Sequence, residues 1–139
     1  MRTALDTNVI SGLWSAGRLA PAVAALLRRC RDAGGLAISG AVYAELLAHP
    51  HASAEFVNAF LRDTGVEVDF ELGVAAWELA GLAFAAYANR RRRSGGGAPR
   101  RILADFLIGA HAQLHADRLA TLDAGAYASD FPALALLTA

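Results

Sequence analysis

A short apolar run at the start of the chain, Ala4-Leu5, stops at Asp6, and apolar residues resume at once with Val9, Ile10, Leu13 and Trp14. The first run reads as a strand, and the second has the spacing of one helix face. Thr7 or Asn8 is suited to cap that helix, and Gly17 to end it. Pro21 fits the first turn of a second helix, PAVAALLRRCRD, which Gly34-Gly35 closes. LAIS (Leu36 to Ser39) is a second strand, and Ser39 caps a helix through VYAELLAH that stops near Pro50. Ala52 to Arg62 reads as a helix, Val66 to Val68 as a third strand, and Leu72 to Arg93 as a long helix. RRRRSGGGAPRR has the composition of a loop, ILADFLIGAHAQLHA that of a helix, and LATLD that of a strand ending on another aspartate. ALALL, near the end, fits a last edge strand. Strands alternating with helices predict an α/β fold: a parallel sheet covered on both faces by helices, in one domain spanning residues 1–139.

Composition narrows the chemistry. The formal net charge is zero, so no overall field draws the chain to nucleic acid or anionic lipid, and any such binding must be local. All 13 basic residues are arginine, which excludes a lysine Schiff base and a P-loop. Cys30, the single cysteine, has no partner for an internal disulfide, and a reducing cytoplasm is the expected setting. No signal peptide is expected, since Asp6 precedes any apolar region. The longest apolar run, Leu72 to Ala88, falls short of the ~20 residues a membrane span needs and carries Glu78.

In an open parallel sheet, ligands bind beyond the carboxyl ends of the strands. Asp6 and Asp123 stand at such ends, Glu45 lies a turn or two into the helix after LAIS, and Asp105 lies in the first turns of the helix after the Arg/Gly loop. These acidic residues are expected to converge on one cleft. Two like charges ~4 Å apart repel by about 4 kcal/mol at an effective dielectric of 20. Such a cluster therefore stays partly protonated or takes up a cation. Hard oxygen donors without thiolates suit Mg²⁺ or Mn²⁺, and a cation-activated water attacking phosphorus is the reaction such a site supports.

Each residue also has a plainer reading. Asp6 is a good helix cap, Glu45 an ordinary solvated helix residue, and Asp123 a turn residue ahead of Gly125. Asp105 is harder to explain away, because it interrupts the apolar ILADFLIGA. On its face Gly109 and Ala112 are small, leaving room for another backbone or a hydrated ion. Arg90, Arg91, Arg92, Arg93, Arg100 and Arg101 come just before it and are expected to clamp phosphates on either side of a cleaved bond. The alternatives for these arginines are a solvated loop, or pairing with acidic residues of a protein partner. His111 and His115 have a spacing that can hold Zn²⁺, but no third ligand accompanies them, and surface or helix-end positions are expected. Trp77, Leu82, Phe84 and Tyr87 on the long helix read as core or dimer contacts, as do Trp14 and Phe106 elsewhere.

Four stretches, LDTNVISGLW, SGAVYAELLAHP, RRILADFLIGAHA and LATLDAGAYASDFPALALL, resemble in order the motifs of the PIN-domain family, and within it the VapC-type toxin ribonucleases of toxin–antitoxin pairs. The resemblance implies a small α/β/α sandwich with an acidic pocket of Asp6, Glu45, Asp105 and Asp123. Asp6 and Asp105 would be the most direct metal ligands, with Asn8 and Thr121 orienting ligands or water. Asp130, in ASDF, competes with Asp123 for the fourth position and ranks below it. The implied activity is Mg²⁺- or Mn²⁺-dependent endonucleolytic cleavage of RNA, and the implied partners are a second copy of the chain and a cognate antitoxin. A PIN-like module that only binds RNA or protein is the alternative. A haloacid-dehalogenase-like phosphatase is a weaker one, because Asn8 stands where that family has its second aspartate.

Overall fold

The computed structural model describes residues 1–139. Five short strands, β1 (Thr3–Leu5), β2 (Leu36–Ser39), β3 (Val66–Asp69), β4 (Arg118–Ala120) and β5 (Leu136–Leu137), form one sheet in the order β3-β2-β1-β4-β5. Every pair is parallel, with Ala4 level with Ala37 on one side and Leu119 on the other. Seven helices connect the strands: α1 (Thr7–Trp14), α2 (Ala20–Ala33), α3 (Gly40–Leu47), α4 (Ala54–Thr64), α5 (Val74–Arg93), α6 (Leu103–His115) and α7 (Ala124–Asp130). The chain thus has the α/β architecture expected from its alternating pattern. Strand alternation sends Leu5, Leu36 and Val66 to one face, where they line a small apolar cavity with Leu13 of α1, Leu27 of α2 and Phe60 of α4. On the opposite face Arg2 and Asp69 reach toward His111 and His115 of α6. The core residues Ala4, Leu5, Ile38 and Leu119 are fully covered. No helix is long and apolar enough to cross a membrane.

Several local expectations change. Asp6, and neither Thr7 nor Asn8, caps α1: its Oδ1 accepts from the Thr7 N–H at 2.8 Å. That helix stops at Trp14, before Gly17, because Ser15 Oγ bonds the Ser11 carbonyl and Ala16 turns to positive φ. Arg90 to Arg93, which the sequence offers both as the end of the long helix and as the start of the loop, form the last turn of α5, where cations suit the helix dipole, and the loop begins at Ser94. The segment after Asp123 forms α7, which its Ala-Gly-Ala-Tyr-Ala composition hides from a periodicity argument. The space beside Gly109 is not open: a methyl there would meet the buried Phe131 ring at 2.3 Å. The glycine is there so that this ring can pack on α6. His111 is buried, not on the surface, with its Nε2 2.8 Å from Asp69 Oδ2, and His115 Nε2 donates to the Leu72 carbonyl at 2.6 Å. Both rings are committed to protein partners.

Candidate active site

The strand order reverses at β1, with β2 on one side and β4 on the other, so the first residue beyond β1 stands at the switch point where open parallel sheets bind ligands. That residue is Asp6, which is only 6% exposed. The Thr121 hydroxyl, at the end of neighbouring β4, donates to Asp6 Oδ2 at 2.8 Å. Thr121 Oγ1 in turn accepts from the Asp123 N–H at 3.0 Å. Asn8 Oδ1 accepts from the Leu122 N–H at 3.1 Å, tying α1 to the same connection. On the other side of β1, the Thr7 hydroxyl donates to Glu45 Oε1 at 2.6 Å. Thr7 and Asn8, the two residues after Asp6, thus tie α3 and the β4–α7 connection to it.

Burial raises the pKa of Asp6 above the ordinary carboxylate range, against the opposing donation from Thr121, Tyr127 and the Thr7 N–H; the charge of Asp105 raises it further. Asp105, in the first turn of α6, accepts from the Ile102 N–H at 3.3 Å and lies 3.6 Å from Arg101 Nε. Burial and then the charges of Asp6 and Asp105 push the fully buried Tyr127 phenol far up, so it stays protonated beside Asp6. Asp6, Asp105 and Asp123 each stand at a helix N-terminus, where the dipole favours negative charge. Glu45, near the C-terminal end of α3, lacks that help and relies on Thr7.

The acidic residues do not form a closed cage: nowhere do three or more His, Cys, Asp or Glu side chains gather closely enough to share one ion. Asp6 and Asp105 act on each other, Glu45 joins through Thr7, and Asp123 is exposed with no side-chain capping bond. Asp130 is engaged by Arg90 and by Arg101, the arginine that also lies against Asp105. The arginines divide in the same way. Arg91 binds the carbonyls of Gly96 and Ala98, and Arg92 binds Asn89, whereas Arg93 and Arg100 extend into solvent without a side-chain partner. Thr7 and Tyr127 carry no sequence signal strong enough to place them at the site. The one available clue is that Tyr127 follows Asp123 by a single helical turn.

A family model described as PIN domain matches residues 3–132. The chain belongs to the PIN-domain family. Solved structures extend the likeness to the whole PIN domain. VapBC2 from Rickettsia felis, bound to a DNA fragment from its promoter, aligns with a TM-score of 0.64 and 19% identity, covering 99% of this chain and 98% of that one. VapBC-1 from nontypeable Haemophilus influenzae aligns with a TM-score of 0.63 and 22% identity over 99% and 98% of the two chains. A toxin–antitoxin complex from Klebsiella pneumoniae aligns with a TM-score of 0.61 and 19% identity over 98% and 96%. A search of curated proteins returns no match. At these identities the structural likeness establishes the fold of the PIN domain.

Proposed function

We propose that this PIN domain is an endoribonuclease that depends on Mg²⁺ or Mn²⁺ and serves as the toxin of a toxin–antitoxin pair. The observation that carries the reading is the state of Asp6. It is a nearly buried carboxylate at the sheet's switch point, pinned by Thr7 and Thr121 and set against the charge of Asp105. A carboxylate kept there at a cost to folding has a use beyond capping a helix.

The donor set fits a hard divalent cation. Mg²⁺ is usually held by one or two carboxylates, with water and substrate phosphate completing its shell, so an open pair suits it better than a closed cage. Asp6 and Asp105 would hold the ion, with Glu45 and Asp123 facing its water. Bound there, the ion would supply Lewis acidity toward the phosphodiester and a more acidic water. The protein's own part is to hold these oxygens in place: Thr121 and the Thr7 N–H fix Asp6, and Thr7 Oγ1 fixes Glu45. Arg93 and Arg100, free of internal partners, are the arginines best placed to meet RNA phosphates. Incubating the purified protein with RNA in Mg²⁺ and in excess chelator tests the reading. Cleavage in Mg²⁺ that chelation removes is expected; binding without cleavage in either condition would mark a module that only binds.

The toxin–antitoxin complex among the structural relatives supports an antitoxin partner for this chain. A homodimer is supported by α5, where Val74, Trp77 and Leu82 are 72%, 55% and 72% exposed. Single exposed apolar residues are common, but several along one helix mark a contact surface. Trp77→Glu is expected to shift the protein from dimer to monomer in light scattering. A monomeric wild type would remove the dimer from the proposal.

A further inference from the structure

We propose that Asp130 is a positioning residue: by gripping Arg101 it holds that guanidinium to one loose contact with Asp105 and keeps it from closing bidentately, and so leaves the Asp105 oxygens able to take a cation. The proposal rests on the nuclease reading above and names a control on that same site.

The geometry is a chain of contacts from α7 to α6. The Asp130 side chain is 2% exposed and ends α7. A carboxylate so buried needs cationic or N–H partners, and it has two, Arg90 from α5 and Arg101 from the loop before α6. Arg101 is held on every side. Its Nη1 donates to Asp130 and, at 3.2 Å, to the Ala126 carbonyl. Its Cζ lies 5.0 Å from the ring centroids of both Phe106 and Tyr127. Its Nε already forms one loose ion pair with Asp105 Oδ2 at 3.6 Å, too long for a hydrogen bond, and neither Nη reaches that carboxylate. With its side chain 14% exposed, Arg101 is poorly placed to lie along a phosphate, unlike Arg93 and Arg100.

Tyr127 and Asp130 stand three residues apart on α7, so they share one helix face. That face presents a phenol to the acidic pair and a carboxylate to the arginine beside it. Remove the Asp130 charge, and the guanidinium has one carboxylate left within reach on α6, that of Asp105. A bidentate Arg–Asp pair there would occupy the oxygens proposed to face the cation.

The test measures Mn²⁺ binding to the intact protein by isothermal titration calorimetry, with no RNA present. Asp130→Asn is expected to weaken Mn²⁺ binding about tenfold, the lower end of what loss of an outer-shell partner typically costs. Adding Arg101→Gln to that variant is expected to restore the affinity to within about threefold of wild type, because the competing guanidinium is gone. Asp130→Asn that binds Mn²⁺ like wild type overturns the proposal. So does a double variant as weak as the single one, which would show that Arg101 aids the metal site rather than competing for it. Circular dichroism reports whether Asp130→Asn folds. If it does not, Arg101→Gln alone decides: binding no weaker than wild type supports the proposal and weaker binding overturns it. A wild type that takes up no Mn²⁺ overturns this inference and the nuclease reading together. A wild type that binds Mn²⁺ and cuts RNA, alongside variants that leave the metal affinity unmoved, overturns this inference alone.

Discussion

Asp6→Asn is expected to slow RNA cleavage by about a thousandfold or more while leaving the fold and RNA affinity in place. The amide has nearly the shape of the carboxylate, and its oxygen can still accept the Thr7 N–H that caps α1. What it removes is the negative charge, the property a cation requires, and losing a direct ligand exceeds the ten- to hundredfold typical of outer-shell changes. Asp105→Asn is expected to behave alike. The stability of the variant separates this account from simple damage to the fold. Burial first, and then Asp105, raise the folded-state pKa of Asp6 above its ordinary 3.8. A group raised in this way favours folding below its unfolded pKa and loses that advantage as pH rises through the folded value. The wild type therefore carries a cost at neutral pH that the Asn variant lacks, so the variant is expected to melt no lower than wild type at pH 7, with any advantage fading toward pH 4. Cleavage at the wild-type rate by the Asn variant would refute the assignment of Asp6 to the cation.

Much of this architecture is legible in the sequence because it rests on local rules. Alternating strands and helices require crossovers, crossovers give a parallel sheet, and the acidic residue after the first strand falls at its carboxyl edge. Pro21 and Gly34 mark the ends of α2 where expected. What escapes is set by partners distant along the chain. Gly109 looks like an opening until the Phe131 ring is seen to fill it. Asp130 looks like a spare site carboxylate until Arg90 and Arg101 are seen to engage it. The arginines look equivalent in sequence, yet the fold ties some to carbonyls or carboxylates and leaves Arg93 and Arg100 free. His111 reads as a surface or helix-end residue, whereas its buried ring serves a pairing with β3 that no periodicity encodes.

That pairing carries a large stability effect. Asp69 ends β3 and receives Arg2 through both guanidinium nitrogens, Nη1 at 2.9 Å and Nη2 at 3.1 Å, while His111 Nε2 approaches at 2.8 Å. Arg2 also donates to the His115 carbonyl at 2.7 Å, so one carboxylate joins β1, β3 and α6. Removing one partner of a buried pair costs ~3–5 kcal/mol; with Arg2 31% and Asp69 25% exposed, solvent lowers this to about 2–3 kcal/mol. Asp69→Ala is thus expected to lower the melting temperature by roughly 6–12 °C for a domain of this size. The pH dependence identifies the source. Arg2, chiefly, holds Asp69 down at about 2, so its contribution is present above 3.8 and is lost as pH falls toward that value. Burial lowers His111 below 6.5, and Asp69 is the group that opposes this shift. Without Asp69 the ring resists protonation further, so more stability is lost as the unfolded chain gains its proton below pH 6.5. The deficit of the variant should therefore widen as pH falls below 6.5 and narrow below 3.8. Urea unfolding at neutral, mildly acidic and strongly acidic pH measures it. A deficit that stays flat between neutral and mildly acidic pH would mean that His111 does not feel Asp69, and would reduce the network to the Arg2 pair alone.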